Sequence, residues 1–154
     1  MRTQYPSNGA YFNNLYLVDV FSLVMWGGAT FDLAMFFLNK CPWKVIKTLR
    51  EKVPDVLFQI LLCGANTVGY TNYPNNLVQK FCKQASKSGV EIFRIFNSIN
   101  YIDNLKLGGD AAGSVGGFME GTLSYTGGVL DPRKVKYDLE YYIKITRDLS
   151  DMGF

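Results

Sequence analysis

Histidine is absent from all 154 residues. That removes every Ser-His-Asp or Cys-His nucleophile system that could lie within the chain, and every imidazole metal ligand. Self-contained chemistry would fall to carboxylates, tyrosines, lysines or thiols. Cysteine is scarce: Cys41, Cys63 and Cys82 form an odd, widely spaced set with no C-x-x-C pair. Such spacing fits free thiols in a reducing compartment and argues against a disulfide framework or a zinc cage. Charge of either sign is modest. With 16 Lys and Arg against 13 Asp and Glu, the net charge is +3 and the basic residues are scattered along the chain, so no nucleic-acid partner is expected. No apolar stretch reaches the roughly 18 residues of a membrane span, so no membrane partner is expected either. Residues 1–16 contain no acidic residue and only one arginine, Arg2. They lack the Arg-rich amphipathic pattern of a transit peptide and read as a loosely ordered lead-in.

What is present is a repeating period. At 48% hydrophobic and 19% charged, the composition is globular, and the length suits one domain with a real core. Leu17–Val24 reads as a buried strand, followed by the loop Trp26-Gly27-Gly28-Ala29. Thr30 is placed to cap a helix running to about Leu38, with Asp32 in its first turn. Pro42 suits the start of a second helix with Val45, Ile46, Leu49 and Val53 on one face. A second strand, Phe58–Leu62, leads through a glycine- and amide-rich loop to Pro74. That proline opens a helix with the apolar stripe Leu77, Val78, Phe81, Cys82 and Ala85. A third strand, Val90–Phe96, precedes a weak helix near Ile102–Ala112, and Phe118–Tyr125 reads as a fourth strand. A final helix is expected to carry Leu139, Tyr142, Ile143, Leu149 and Met152 on one side, with Gly153 as its stop. Strands this apolar are expected to be covered on both faces, which calls for a parallel sheet. Either a doubly wound sheet or part of a β/α barrel satisfies the pattern; a full barrel needs eight units and typically about 250 residues.

Loops after strand C-termini are where α/β proteins keep their chemistry. Asp32, Tyr70 and Asn97 each follow a different strand, so in a barrel they would converge on one mouth. Against that, Asp32 reads equally as a helix-start residue and Asn97 as a turn residue. Tyr70 offers both a donor and an acceptor. Trp26 and Trp43 read as packing residues. The run from Gly108 to Gly117 lacks the Gly-Lys-Ser/Thr ending of a P-loop and precedes a strand rather than following one. It is expected to be a helix-terminating turn, and nucleotide binding is rejected.

The wording of several blocks resembles a known family. Trp26-Gly27-Gly28-Ala29-Thr30-Phe31-Asp32, Cys41-Pro42-Trp43, Gly64-Ala65-Asn66, Val68-Gly69-Tyr70-Thr71-Asn72-Tyr73-Pro74 and Phe93-Arg94-Ile95-Phe96 occur in order. Ala111-Ala112-Gly113-Ser114, Tyr125-Thr126-Gly127 and Leu139-Glu140-Tyr141-Tyr142 continue the register. Together they are similar to the central part of the carboxyltransferase domain of pyruvate carboxylase, most of all in its animal forms. The resemblance runs from Phe21 to the last residue. It implies an α/β fold, a partial (β/α)8 TIM barrel of about four consecutive βα units, with 1–20 an unmatched lead-in and 21–154 a partial carboxyltransferase domain. It also implies carboxyl transfer from carboxybiotin, delivered on a carrier domain outside this chain, to pyruvate, giving oxaloacetate. In the family a divalent metal polarises the pyruvate carbonyl. Asp32 and Tyr70 correspond to a carboxylate–tyrosine pair beside the substrate and biotin pocket. Association with other carboxylase chains and, by analogy with animals, the mitochondrial matrix are implied as well.

The departures from the family are expected to matter. Cys63 stands where the family has a pyruvate-binding arginine, Asn97 where it has an aspartate, and Phe36 where it has an arginine; a family glutamate falls near Val24. A guanidinium grips a carboxylate through two charge-assisted hydrogen bonds, and a thiol does not. By analogy with buried charge pairs, that loss should cost on the order of 2–5 kcal/mol. The family's metal ligands match no residue of this segment, so the isolated chain is expected to lack a metal site and to form no oxaloacetate. Open sheet edges would favour a poorly folded or oligomeric state. Two further readings stay open: a catalytically dead paralogue acting as an interaction protein, and a small doubly wound domain binding an uncharged ligand at Tyr70.

Overall fold

The structure is a computed structural model that describes residues 20–133 and 135–154. The lead-in and the Leu17–Asp19 start of the first expected strand therefore lie outside the described residues. Chain order is β1 (Ser22–Trp26), α1 (Gly28–Asp32) continuing into a π-helical turn (Leu33–Phe37), α2 (Pro42–Lys52), β2 (Leu57–Leu62), α3 (Asn75–Lys87), β3 (Ile92–Phe96), α4 (Ile102–Gly113), β4 (Phe118–Thr122) and α5 (Leu139–Asp151). The four strands form one sheet in the order β1-β2-β3-β4, and every neighbouring pair is parallel.

The helices explain which of the two architectures is present. Phe58, Ile60 and Leu62 of β2 and Phe93 and Ile95 of β3 share one core with Ile46 of α2, Val78, Cys82 and Ala85 of α3, Leu105 and Ala112 of α4 and Leu149 of α5. One sheet face thus receives all of these helices, and the strands follow one another without reversal. A doubly wound sheet reverses its order and covers both faces. Sequential order with helices on one side is the winding of a β/α barrel wall.

The opposite face is mixed: Val24, Leu57, Leu61, Ile92, Phe96 and Phe118 keep part of the apolar surface that the strand composition predicts, and a polar row crosses between them. Ser22 Oγ donates to Gln59 Oε1 at 3.5 Å, Gln59 Nε2 donates to Glu120, and Arg94 Nε donates to Glu120 Oε1 at 2.9 Å. This chain of contacts runs from β1 to β4. Strand residues alternate between faces, so the single polar residue inside each apolar run, Gln59 in β2 and Arg94 in β3, emerges on this face.

Local signals place most element ends. Pro42 opens α2 and Pro74 precedes α3. The first helix begins earlier than expected. Gly27 is its cap, with Gly27 N donating to Thr30 Oγ1 at 2.9 Å and Thr30 Oγ1 donating back to Gly27 O at 3.1 Å. Asp32 consequently ends the α-helical turn instead of sitting in its first turn. The glycine run also differs: Gly108, Gly109 and Gly113 lie inside α4, and only its end forms the turn, at Gly116 with φ 73°. A Cβ on Gly108 would stand 3.0 Å from Ile95 Cγ2 and 3.3 Å from Gly64 Cα, so the bare backbone lets α4 approach β3 closely. On α5 the buried residues are Ile145 and Leu149, while Leu139 is exposed. The rest of the expected stripe holds, with Tyr142, Ile143 and Met152 half-buried; the Tyr141 hydroxyl accepts from Asn100 Nδ2 after β3 and the Tyr142 hydroxyl from Thr126 N after β4.

Arg50 is the hub of the α2 side. Its guanidinium donates to the carbonyls of Val53, Pro54 and Val56 and, at 2.7 Å, of Gly89. It pairs with Glu91 at 2.6 Å and stacks 3.7 Å above the Phe58 ring.

Burial pushes the Cys82 thiol up to about 12. An unfolded chain ionises this thiol from about pH 8.5, so its contribution to stability is fully present below that value and is lost as pH rises toward 12. Urea unfolding is expected to show stability falling through this window. In Cys82→Ala the fall should be shallower by up to about 1.4 kcal/mol per pH unit.

Candidate functional site

The C-terminal ends of the first three strands carry three short, well-tied loops. The first contains the Gly27–Thr30 box and leads to Asp32, which is half-buried. The second follows Cys63. Cys63 N donates to Thr67 O at 2.7 Å, closing a tight turn over the 3₁₀ segment Gly64–Asn66. Gly64 has φ 49°, and buried Thr67 has φ 50°. Ala65 N donates to the side chain of Asn104 on α4. Gly69 N donates to Asn66 O at 2.7 Å, and Tyr73 N to Ala65 O at 3.0 Å. Tyr70 rides on this folded base with 85% of its surface exposed.

The two loops touch. A Cβ on Gly28 would stand 2.7 Å from Val68 O, so α1 begins directly against the second loop. Asp32 is four residues beyond Gly28 and therefore lies on the same helix face, one turn along. The structure brings the segments bearing Asp32 and Tyr70 together. Among the described residues, neither side chain is held by a hydrogen bond or ion pair, which leaves a carboxylate and a phenol available to a ligand.

Asn97 does not join them. Its Oδ1 accepts from Ile99 N at 3.0 Å and Tyr101 N at 3.1 Å, which is the turn-forming use of an Asn side chain. The residue that ties this third loop to β4 is one that sequence reasoning missed. Asn100, 7% exposed, accepts from Ser124 N at 2.7 Å and donates to Ser124 O at 3.0 Å. Its φ is 55°, a left-handed conformation that Asn tolerates better than most residues. An Asn before an apolar helix was the only local signal. Asn104, also missed, carries no local signal at all, since its role is to reach the β2 loop.

Cys63 ends β2 half-buried, and burial raises its thiol above the ordinary range. It stays protonated near neutral pH and supplies no charge to an anion. Phe36, on the π-turn beyond Asp32, is 70% exposed. Arg94 is the cation nearest this end within a described strand, and it is already bound to Glu120 at 2.8 Å. Among the described residues, no three His, Cys, Asp or Glu side chains gather to hold a metal ion. The donor set among the described residues does not fit a divalent metal centre. Trp26 and Trp43 are packing residues as expected: Phe31 meets their rings at 6.5 Å and 5.3 Å. Alkylation followed by mass spectrometry is expected to label exposed Cys41 first, Cys63 more slowly and buried Cys82 only on unfolding. Equal labelling of Cys63 and Cys41 would contradict this burial.

No family model matches the chain. Among curated proteins, the chain is 54% identical to the mitochondrial pyruvate carboxylase of Rattus norvegicus over 142 residues, which is 92% of this chain and 12% of that protein. It is 47% identical to the pyruvate carboxylase of Staphylococcus aureus over 88% of this chain and 12% of that protein. Among solved structures, the carboxyl transferase domain of Rhizobium etli pyruvate carboxylase with pyruvate and biocytin superposes with a TM-score of 0.83 at 43% identity. That match covers 87% of this chain and 23% of the other. The same domain with oxamate and biotin gives the same score. The chain thus spans about an eighth of the length of these curated relatives. No helix of the described residues is long and apolar enough to cross a membrane. By sequence and by fold, the chain belongs to the pyruvate carboxylase family, where it corresponds to one part of the carboxyltransferase domain.

Proposed function

We propose that residues 21–154 form one wall of a carboxyltransferase mouth in a biotin-dependent pyruvate carboxylase, and that Asp32 and Tyr70 are the residues this wall presents to substrate and biotin. The observation that carries the reading is the Gly28–Val68 contact, which sets the two loops side by side at the C-terminal edge of a parallel sheet. When bound, the biotin delivered by the carrier domain would supply the carboxyl group that pyruvate receives. A ureido ring carries a carbonyl acceptor, and the exposed Tyr70 hydroxyl fits it as a donor. Asp32 would hold or relay a proton beside it. The family's divalent metal would be held by groups other than those described. Given the mitochondrial names of the mammalian relatives, the mitochondrial matrix is the proposed compartment.

The test has two parts. The purified chain, mixed with pyruvate and carboxybiotin, is expected to form no oxaloacetate. A pyruvate carboxylase carrying this segment in place of its own, with Cys63→Arg, is expected to bind pyruvate at least about tenfold more tightly than the same chimaera with Cys63, on the scale of a charged hydrogen-bond pair. In that enzyme, Asp32→Ala or Tyr70→Phe should lower kcat/KM by roughly a hundredfold, the size of a lost proton-transfer or positioning group. Unchanged kcat/KM in both variants would remove them from the site.

A further inference from the structure

The lysines that look scattered along the chain gather in space. Lys80, Lys83 and Lys87 lie at i, i+3 and i+7 on α3, and no acidic residue occurs anywhere in that helix. All three are exposed, and the described ion pairs include none of them. They line a groove of about 650 Å³ together with Asn76, Gln79, Ser86, Ser114 and Val115. A second, separate concavity shares Ser86 and Lys87 with it and is lined on its far side by Lys47, Arg50 and Glu51 of α2.

Three features make this surface unlike an ordinary solvated helix face. Like charges three or four residues apart on a helix repel and cost stability, and α3 has no carboxylate to offset them. Lys87, in the last turn, complements the helix dipole, but Lys80 lies too far from the C-terminus to share that benefit. α5 is the contrast: its exposed face mixes Glu140, Lys144, Arg147, Asp148 and Asp151. Finally, every polar side chain lining the α3 groove is an ammonium, an amide or a hydroxyl, and no carboxylate enters it.

We propose that the α3 groove is a docking surface for an acidic protein segment rich in Asp and Glu. Charge complementarity carries the choice of partner. Nucleic acid fits the groove less well, because its lining offers no arginine fork for phosphate and no aromatic face for base stacking. The groove lies on the helix layer, and none of its lining residues belongs to the loops that carry Asp32 and Tyr70.

Fluorescence anisotropy with a labelled twelve-residue Asp/Glu peptide tests this on the full chain. Saturable binding that weakens as salt rises is expected. Lys80→Glu/Lys83→Glu should weaken it at least about tenfold, and the charge-neutral Lys80→Gln/Lys83→Gln by roughly three- to tenfold, while Lys106→Glu/Lys144→Glu, away from the groove, should change it less than about twofold. Circular dichroism checks that each variant keeps its helix content; if the Glu pair does not, the Gln pair decides. The proposal is overturned if the peptide does not bind saturably, if the distant pair weakens it equally, or if duplex DNA of equal charge binds as tightly.

Discussion

Arg50→Ala is expected to destabilise the chain by about 3–5 kcal/mol, the range for breaking a mostly buried ion pair and stranding its partner. The side chain is 21% exposed, and its partner Glu91 is 34% exposed, so solvent screens the pair only in part. Four carbonyls, from Val53, Pro54, Val56 and Gly89, would lose their donor together. Glu91 Oε2 also accepts from Phe58 N at 2.7 Å, which ties the start of β2 to the same cluster. Lysine is not an adequate substitute, because a point charge does not span the carbonyls of two separate loops while lying flat on Phe58. Chemical denaturation of Arg50→Ala and Arg50→Lys measures both. A loss below about 1 kcal/mol in Arg50→Ala, the size typical of a surface pair, would show the cluster to be incidental.

Gly64→Ala is expected to cost about 2–4 kcal/mol and to disturb the mouth more than the core. Part of that is the strain of a Cβ at φ 49°, about 1 kcal/mol or more. The rest is overpacking of about 1–3 kcal/mol, since the new Cβ would stand 2.7 Å from the backbone oxygen of Asn104. Helix α4 must retreat or the loop must lift, and either movement reaches Tyr70 through the Asn66–Gly69 and Ala65–Tyr73 bonds. Hydrogen exchange is the discriminating measurement. Faster exchange at Gly69 and Tyr73 with an unchanged Phe93 is the expected pattern. Uniform acceleration would instead point to global loss of stability.

The order and type of the elements were legible because their causes are local. Apolar runs marked β2 and β3, and Pro42 and Pro74 marked the starts of α2 and α3. What escaped was set by distant partners. The single-sided helix layer depends on how the strands follow one another, which periodicity does not encode. Asp32 lost its first-turn place because Gly27 and Thr30 moved the helix start upstream. The α5 stripe was read from spacing, which found Leu149 but passed over Ile145, buried one turn before it on the same face. In the candidate site, Asp32 and Tyr70 were marked by their place after strand ends and by the family wording, and the contact that joins their loops came from a glycine whose missing Cβ only the fold explains. Asn100 and Asn104 work across 24 and 39 residues respectively, beyond the reach of any local window.

The polar ladder from Ser22 through Gln59 and Glu120 to Arg94 has a consequence for misfolding. Apolar alternation tells a strand which way to face, but it tolerates a slip of two residues, which restores every side chain to its original face. The ladder does not. Sliding β4 by two residues would set Phe118 or Thr122 opposite Arg94 in place of Glu120, stranding a guanidinium among uncharged neighbours. The same slip in β2 would replace Gln59 by Leu57 or Leu61 and cut the chain between Ser22 and Glu120. Sheets joined only by aliphatic contacts have several nearly equal alignments; here a mismatched charge penalises the neighbouring ones, so the sheet locks into a single alignment.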